Sequence, residues 1–457
     1  MRVDRTRLPV PGDERPFAFP RAVKRRLDNG LRLWSIERRG LPLVSLVLVV
    51  PAGSAADPPD APGLAALTAD MLDEGSGVRS AVEIHEALSR LGAELDTAIG
   101  PDAVELSLTV LDRFVPDALE LLSDIVARPR LAEADLERVR ALRAHRLQQL
   151  RSVPAACAEA VFLRAVFGDH AYGHWPSGSS AAVSAINRQD VAAFHAAHYD
   201  PARATLAAVG AAPADALALA VEQTLGSWRA GAVESRAPSA VPPPHPGTGA
   251  ARVLVVDRPG SPQTELRVGH VGAARKDAAY YALVMLNAVL GGHFMSRLNS
   301  NLRERRGFTY GVRSSFDFRV APGPFAVQTG VQTAATGQAA AEILEEMDAL
   351  RGARPADERE LALAAATLTN GYPMSFETIG QVARGLGQLA LFDLPDDTFE
   401  RFTPAIRAVG TAEVARAACA HFRPGAATVV AVGDCERIGA GLGRLGLGDA
   451  LIATAEF

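Results

Sequence analysis

Two stretches of this chain decide what chemistry it can do, one by the residues it has and one by those it lacks. In LRERRGFTY, Leu302 to Tyr310, Arg303 offers a charged fork of donors able to grip an oxygen atom. Tyr310 offers a hydroxyl that can donate a hydrogen bond to an oxygen as negative charge grows on it. The plainer alternatives are a surface helix decorated by Arg303, Glu304, Arg305 and Arg306, and a tyrosine packed in a core beside Phe308 and Val312. The histidines promise less. His170 and His174 have ligand-like i, i+4 spacing, but Gly173 and the flanking Pro and Gly argue for a loop. His195 and His198 read as core and rim residues, His85 as an exposed one, and His293 as a neighbour of the Arg303 segment that could line a cavity. The Gly291-Gly292 pair is a short turn, and no Ser-His-Asp context, phosphate loop or dinucleotide fingerprint stands out.

The second stretch is GLAALTADMLDEG, Gly63 to Gly75. Leu64, Leu67 and Met71 recur at i, i+3 and i+7, so a buried amphipathic helix is expected after the Pro62-Gly63 turn. Beside them Ala66, Ala69 and Asp70 lie at i, i+3 and i+4 on one face. This run resembles the GLAHxxEHM helix of the pitrilysin-like (M16B) metallopeptidases, in which that face carries His-x-x-Glu-His. There the two His bind zinc and the Glu activates water. The resemblance implies that Ala66 and Asp70 stand where the two His would be and Ala69 where the Glu would be. The family's third ligand, a Glu on a later helix, is expected on or next to Arg146 in LAEADLERVRALRAHRLQQL, with His145 beside it. Alanine has no lone pair to give, one aspartate cannot complete a three-ligand site, and a guanidinium repels a divalent cation. Zinc is therefore not expected on this chain.

LNAVLGGHFMSRLNSNLRERRGFTYGVRSSF resembles the C-domain signature of the same family. That resemblance implies that Arg303 and Tyr310 form the pair reaching across a closed cavity to a zinc site on a facing domain. A helix is expected over Ser296 to Arg306, capped by Gly307, with a strand from Phe308 onward.

These segments need two large domains to position them, and 457 residues suffice. The clearest break is RAPSAVPPPHPGTG, residues 236–249, whose prolines favour an extended linker. It separates domains at 1–235 and 250–457, and these resemble each other in register. VAAFHAAHYDPARATLAAVG from Val191 matches VARAACAHFRPGAATVVAVG from Val414 at a constant offset of 223. In each half, strand-like runs joined by short turns precede long helices. An α+β fold is expected: two homologous domains, each an antiparallel sheet covered on one face by helices. The resemblance implies the same LuxS/pitrilysin-like metallohydrolase fold.

Composition narrows the functional classes. With 48% hydrophobic residues and a net charge of -5, the chain reads as globular and not as a nucleic-acid binder. Three cysteines, Cys157, Cys419 and Cys435, form neither a metal motif nor a paired framework. Lys24 and Lys276 are its sole lysines, an arginine bias that points to a GC-rich bacterial genome. The first thirty residues lack an apolar run of signal-peptide length, and no membrane span is expected. The cytoplasm is the expected compartment, or the periplasm if a leader has been removed. The resemblance implies a heterodimeric zinc metallopeptidase acting on peptides. The zinc would sit on a homologous partner of similar length that carries His-x-x-Glu-His, and this chain would be inactive alone. The rival expectations are a non-catalytic scaffold or peptide-binding protein of the same fold, like the core subunits of respiratory complexes, or a homodimeric chamber.

Overall fold

The computed structural model of the chain describes residues 17–231 and 253–457. The expected linker, 236–249, lies outside the described residues. The first half runs β1 (Val23–Arg26), β2 (Arg32–Glu37), β3 (Leu43–Val50) and α1 (Leu64–Asp70). A small hairpin, β4 (Gly75–Ser76) and β5 (Arg79–Ser80), leads into α2 (Ala81–Arg90), β6 (Asp96–Ile99), β7 (Val104–Leu111) and α3 (Val115–Ala127). There follow α4 (Glu133–Leu150), α5 (Pro154–Phe167), α6 (Ser180–Ala185), α7 (Arg188–His198), β8 (Thr205–Gly210) and α8 (Ala214–Leu225).

The second half begins with β9 (Val253–Asp257), β10 (Gln263–Val271) and α9 (Tyr280–Asn287), followed by two π-helical turns, Ala288–Gly292 and Asn299–Arg305. It continues with β11 (Val312–Phe316), β12 (Pro324–Gln332), α10 (Thr336–Arg351), α11 (Glu358–Asn370) and α12 (Ile379–Leu391). Then come α13 (Thr398–Ala408), α14 (Thr411–His421), β13 (Thr428–Gly433), α15 (Cys435–Leu442) and β14 (Ala450–Ile452). Several helices start where a polar side chain and an acid or amide three residues on satisfy each other's backbone N–H groups: Ser80 with Glu83, Asn187 with Asp190, Asp357 with Glu360, Thr378 with Gln381.

The two sheets share the topology of five strands and differ at one edge, where β1 runs antiparallel to β2 but β14 parallel to β9. The first has the order β1-β2-β8-β3-β7-β6, and the second, read from its other edge, β14-β9-β13-β10-β12-β11. The duplication read from sequence reappears in space, since α7 and α14 begin 223 residues apart, as do β8 and β13. The α+β layering is as expected, but the sheets are mixed. β8 runs parallel to β2, and β13 parallel to β9, because each half's last long strand returns from a helix and slots between strands already laid down.

The halves also exchange a helix. On β3, Val44, Leu46, Leu48 and Val50 point to the first half's own helices, while Val47 and Val49 meet Val382, Leu386 and Leu389 of α12 from the second half. Reciprocally, Val430 and Val432 of β13 pack against Phe162, Val161 and Val166 of α5 from the first half. Each sheet is therefore covered on both faces, one by its own helices and one by the other half's. This accounts for the near-continuous apolar runs of β3, β8 and β13. Among the described residues no helix is long and apolar enough to cross a membrane.

Candidate functional site

Helix α1 is held from its N-terminal end. Gly63 precedes it at φ +96°, a conformation that favours glycine, and a Cβ there would lie 2.8 Å from the Gly178 Cα. The buried Asp57 carboxylate accepts hydrogen bonds from the N–H groups of Gly63 (2.7 Å) and Ala65 (2.6 Å), a negative charge at the positive end of the helix. His174 is the second partner of Asp57, with its Nε2 at 3.0 Å. The His170–His174 segment is thus the expected loop, and its second histidine braces α1. The Nδ1 of His170 accepts the N–H of Tyr172 at 3.0 Å. His195 bonds the Val126 carbonyl at 2.9 Å, and burial holds the pKa of both His195 and His198 below the usual histidine value. His85 is exposed, as expected.

The face of α1 expected to show degenerate zinc positions carries Ala66 and Ala69, both buried, and Asp70, partly exposed. The residue opposite differs from expectation. Arg146 and His145 point to solvent, because the inward face of α4 is Leu136, Val139, Arg143 and Leu147. Arg143, only 7% exposed, fills the place expected for Arg146. Its Nη2 donates to the Ala66 carbonyl at 3.0 Å and forms an ion pair with the Asp70 carboxylate. Its Nε and the hydroxyl of Tyr199 are buried without a hydrogen-bond partner among the described residues. Burial, and after it the charge of Asp70, pushes the Tyr199 hydroxyl above the ordinary tyrosine range, so it stays neutral. These residues do not fit a zinc ion: two methyl groups, one carboxylate already paired, and a fixed positive charge. No group of three or more potential metal ligands occurs among the described residues. The inward stripe of α4 was legible as i, i+3, i+7, i+11 counted from Leu136, a pattern in which an arginine takes a position usually apolar.

The second site stands on the π-helical turn Asn299–Arg305 and the loop that follows. Gly307, at φ +65°, ends the turn as expected, and Phe308 N–H bonds the Leu302 carbonyl at 2.9 Å. Asn299 acts as a substitute strand residue. Its buried amide donates to the Val312 carbonyl (2.9 Å) and accepts the Val312 N–H (3.2 Å), fastening the helical turn to the start of β11. The strand begins at Val312 and not at Phe308, so Tyr310 sits in the loop ahead of it, 94% exposed. Core packing is excluded for it. Its neighbours are fixed, because Thr309 Oγ1 accepts the N–H of Gly311 at 3.1 Å and the hydroxyl of Thr329 at 3.0 Å. Arg303 is partly buried; its guanidinium lies 3.6 Å over the Phe294 ring and pairs with Glu304 at 3.0 Å. Phe294, itself 63% exposed, is a contact the sequence reading missed. His293 lines a pocket of about 250 Å³ with Arg297 and Glu360, and burial lowers its pKa. Arg303 and Tyr310 thus occupy one pinned segment, seven residues apart.

Two family models match most of the chain: Insulinase (Peptidase family M16) over residues 34–174, and Peptidase M16 inactive domain over residues 185–368. An uncharacterized zinc protease of Mycobacterium tuberculosis is 29% identical over 389 residues, which cover 83% of this chain and 86% of the relative. The beta subunit of the mitochondrial-processing peptidase of Mus musculus is 30% identical over 187 residues, 40% of this chain and 37% of that one. A crystal structure described as a peptidase M16 inactive domain from Pseudomonas fluorescens superposes with a TM-score of 0.83 at 26% identity, over 90% of this chain and 98% of the other.

Proposed function

Because the chain belongs to the M16 peptidase family, whose relatives include proteins named zinc proteases, we propose that it is the zinc-free subunit of a heterodimeric bacterial M16B peptidase. Its partner is a homologous chain of similar length with an intact His-x-x-Glu-His helix, and the two enclose peptide substrates. The observation that carries this reading is a contrast within one molecule. The first-half site is closed by Arg143, whereas Tyr310 stands 94% exposed between backbone groups that are pinned. A tyrosine held this way gains nothing in folding from its hydroxyl, so its use lies with something brought to it.

Zinc held by the partner's His-x-x-Glu-His helix would supply the Lewis acid and activate the attacking water. The Tyr310 hydroxyl donates to the carbonyl oxygen of the scissile peptide as charge grows there, and Arg303 holds a neighbouring substrate carbonyl. The Phe294 ring beneath the guanidinium, 3.6 Å away, gives it a cation–π contact where it meets substrate.

The test is reconstitution. Alone, the chain cleaves no peptide; with the partner, cleavage appears and about one zinc per heterodimer is found. Removing one oxyanion donor by Tyr310→Phe lowers kcat by about 10²–10³ while the heterodimer still elutes as one species. Arg303→Ala raises KM and lowers kcat. Undiminished hydrolysis by a complex carrying both substitutions would sink the assignment and leave a scaffold of the same fold.

A further inference from the structure

We infer that Arg143 is a built-in cation that has taken over the position of a metal ion, tying α1 to α4 and barring zinc even when ligands are restored. The inference concerns this chain alone and does not depend on the heterodimer. α1 is seven residues long, too short to be stable without tertiary support. Asp57 secures its N-terminal end. Leu64, Leu67 and Ala69 anchor it in the first half's core, and one guanidinium reaches it from α4, 73 residues from Asp70 and 77 from Ala66, to meet the Asp70 carboxylate and the Ala66 carbonyl.

Charge and direction both favour this arrangement. The carbonyl end of a helix is its negative end, and Asp70 adds a full charge there, so a cation is the group this place attracts. A metal would meet the same need, but it would require lone pairs that Ala66 and Ala69 do not have. Arg143 needs only oxygen acceptors, and Ala66 provides its backbone oxygen whatever its side chain is. With Asp70 replaced by a neutral ligand, a divalent ion entering beside the guanidinium would face a positive charge with no carboxylate opposite it. Zinc exclusion is then an active property of Arg143 and not only the absence of ligands.

The experiment restores ligands around Arg143 in the full-length chain. Ala66→His with Asp70→His is made in three backgrounds: Arg143 retained, Arg143→Gln, and Arg143→Glu. Zinc chloride is the probe, and bound zinc after dialysis is read by mass spectrometry. Expected is little zinc with Arg143 retained, at least tenfold tighter binding with Arg143→Gln, and about one zinc per chain with Arg143→Glu. In the otherwise native chain, Arg143→Gln lowers the melting midpoint by roughly 3 °C or more, and circular dichroism verifies that each variant is folded. Equal zinc binding in the three backgrounds, or a native midpoint for Arg143→Gln, overturns the inference. Folded Arg143→Glu chains that bind no more zinc than those retaining Arg143 also overturn it.

Discussion

Arg143 and Arg146 stand less than one helical turn apart, yet one is buried in an ion pair and the other faces water. Three residues leave two side chains about 60° apart around a helix, enough at the border of a buried stripe for one to face in and the other out, so on a strongly charged helix the inward residue must be found from the apolar stripe and not from spacing to a distant motif. His270 shows burial setting chemistry at the same scale. It lies on β10 with Nδ1 2.8 Å from the Val271 carbonyl, and its Nε2 accepts the Arg423 N–H at 3.3 Å. Burial, assisted by the nearby positive charges of Arg423 and His421, pushes its pKa down to about 4. A histidine with a depressed folded pKa binds fewer protons folded than unfolded. Its contribution to stability is therefore complete above the unfolded value of about 6.5 and is lost as pH falls toward the folded value. Thermal melts should show a midpoint falling between about pH 6.5 and pH 4. His270→Gln, which keeps hydrogen-bonding capacity without the titration, should flatten that decline even if it lowers the midpoint at pH 8.

The π-helical turn at Asn299–Arg305 is the element on which the proposed function depends. A turn wider than an α-helix leaves backbone groups poorly paired, and such turns recur at functional positions. Here side chains make up the difference. Asn299 binds Val312 through both amide atoms, and Asn301 donates to Glu342 at 2.8 Å and to Glu346 at 3.1 Å. Asn299→Ala should cost about 1–3 kcal/mol in denaturant unfolding, because it leaves the buried Val312 amide and carbonyl without partners. It should also lower kcat of the reconstituted peptidase while Arg303 and Tyr310 are intact. A variant with the stability loss but unchanged kcat would show that the turn is not needed to aim Tyr310. The sequence allowed a helix to be placed here with its end at Gly307. The π geometry and the late start of β11 were not legible, because both follow from how Asn299 meets a strand thirteen residues away.

For the whole molecule the exchange of α5 and α12 is the governing feature. Each half has a core of its own, but each lends the other a helix that seals the second face of its sheet, so neither half covers both faces alone. Further contacts cross the same boundary. Asp102 accepts the Val320 N–H at 2.9 Å, the Tyr172 hydroxyl accepts the Ala321 N–H at 3.3 Å, and Arg258 reaches the carbonyls of Arg151 and Ser152. A protease site introduced within residues 236–249 and cut after folding should leave both fragments co-eluting in native size-exclusion chromatography. Either half expressed alone should be insoluble or expose apolar surface that binds hydrophobic dye. Fragments that separate at once after cutting would show that the exchanged helices hold the halves less firmly than their burial implies.

The sequence alone determined the duplication, the α+β elements, the helix at Leu64–Asp70 without metal-binding side chains and the Arg303–Tyr310 motif. Those features are written in local patterns: residue type, apolar period, glycine and proline punctuation, and self-similarity at a fixed offset. Only the tertiary structure decided that Arg143 closes the site, that Tyr310 is left in solvent, that Phe294 carries Arg303, and that each half completes the other's sheet. Each of these is a contact or exposure set by residues far apart in the chain. Helix rotation and helix exchange are fixed by what fills the space opposite, which no local pattern states.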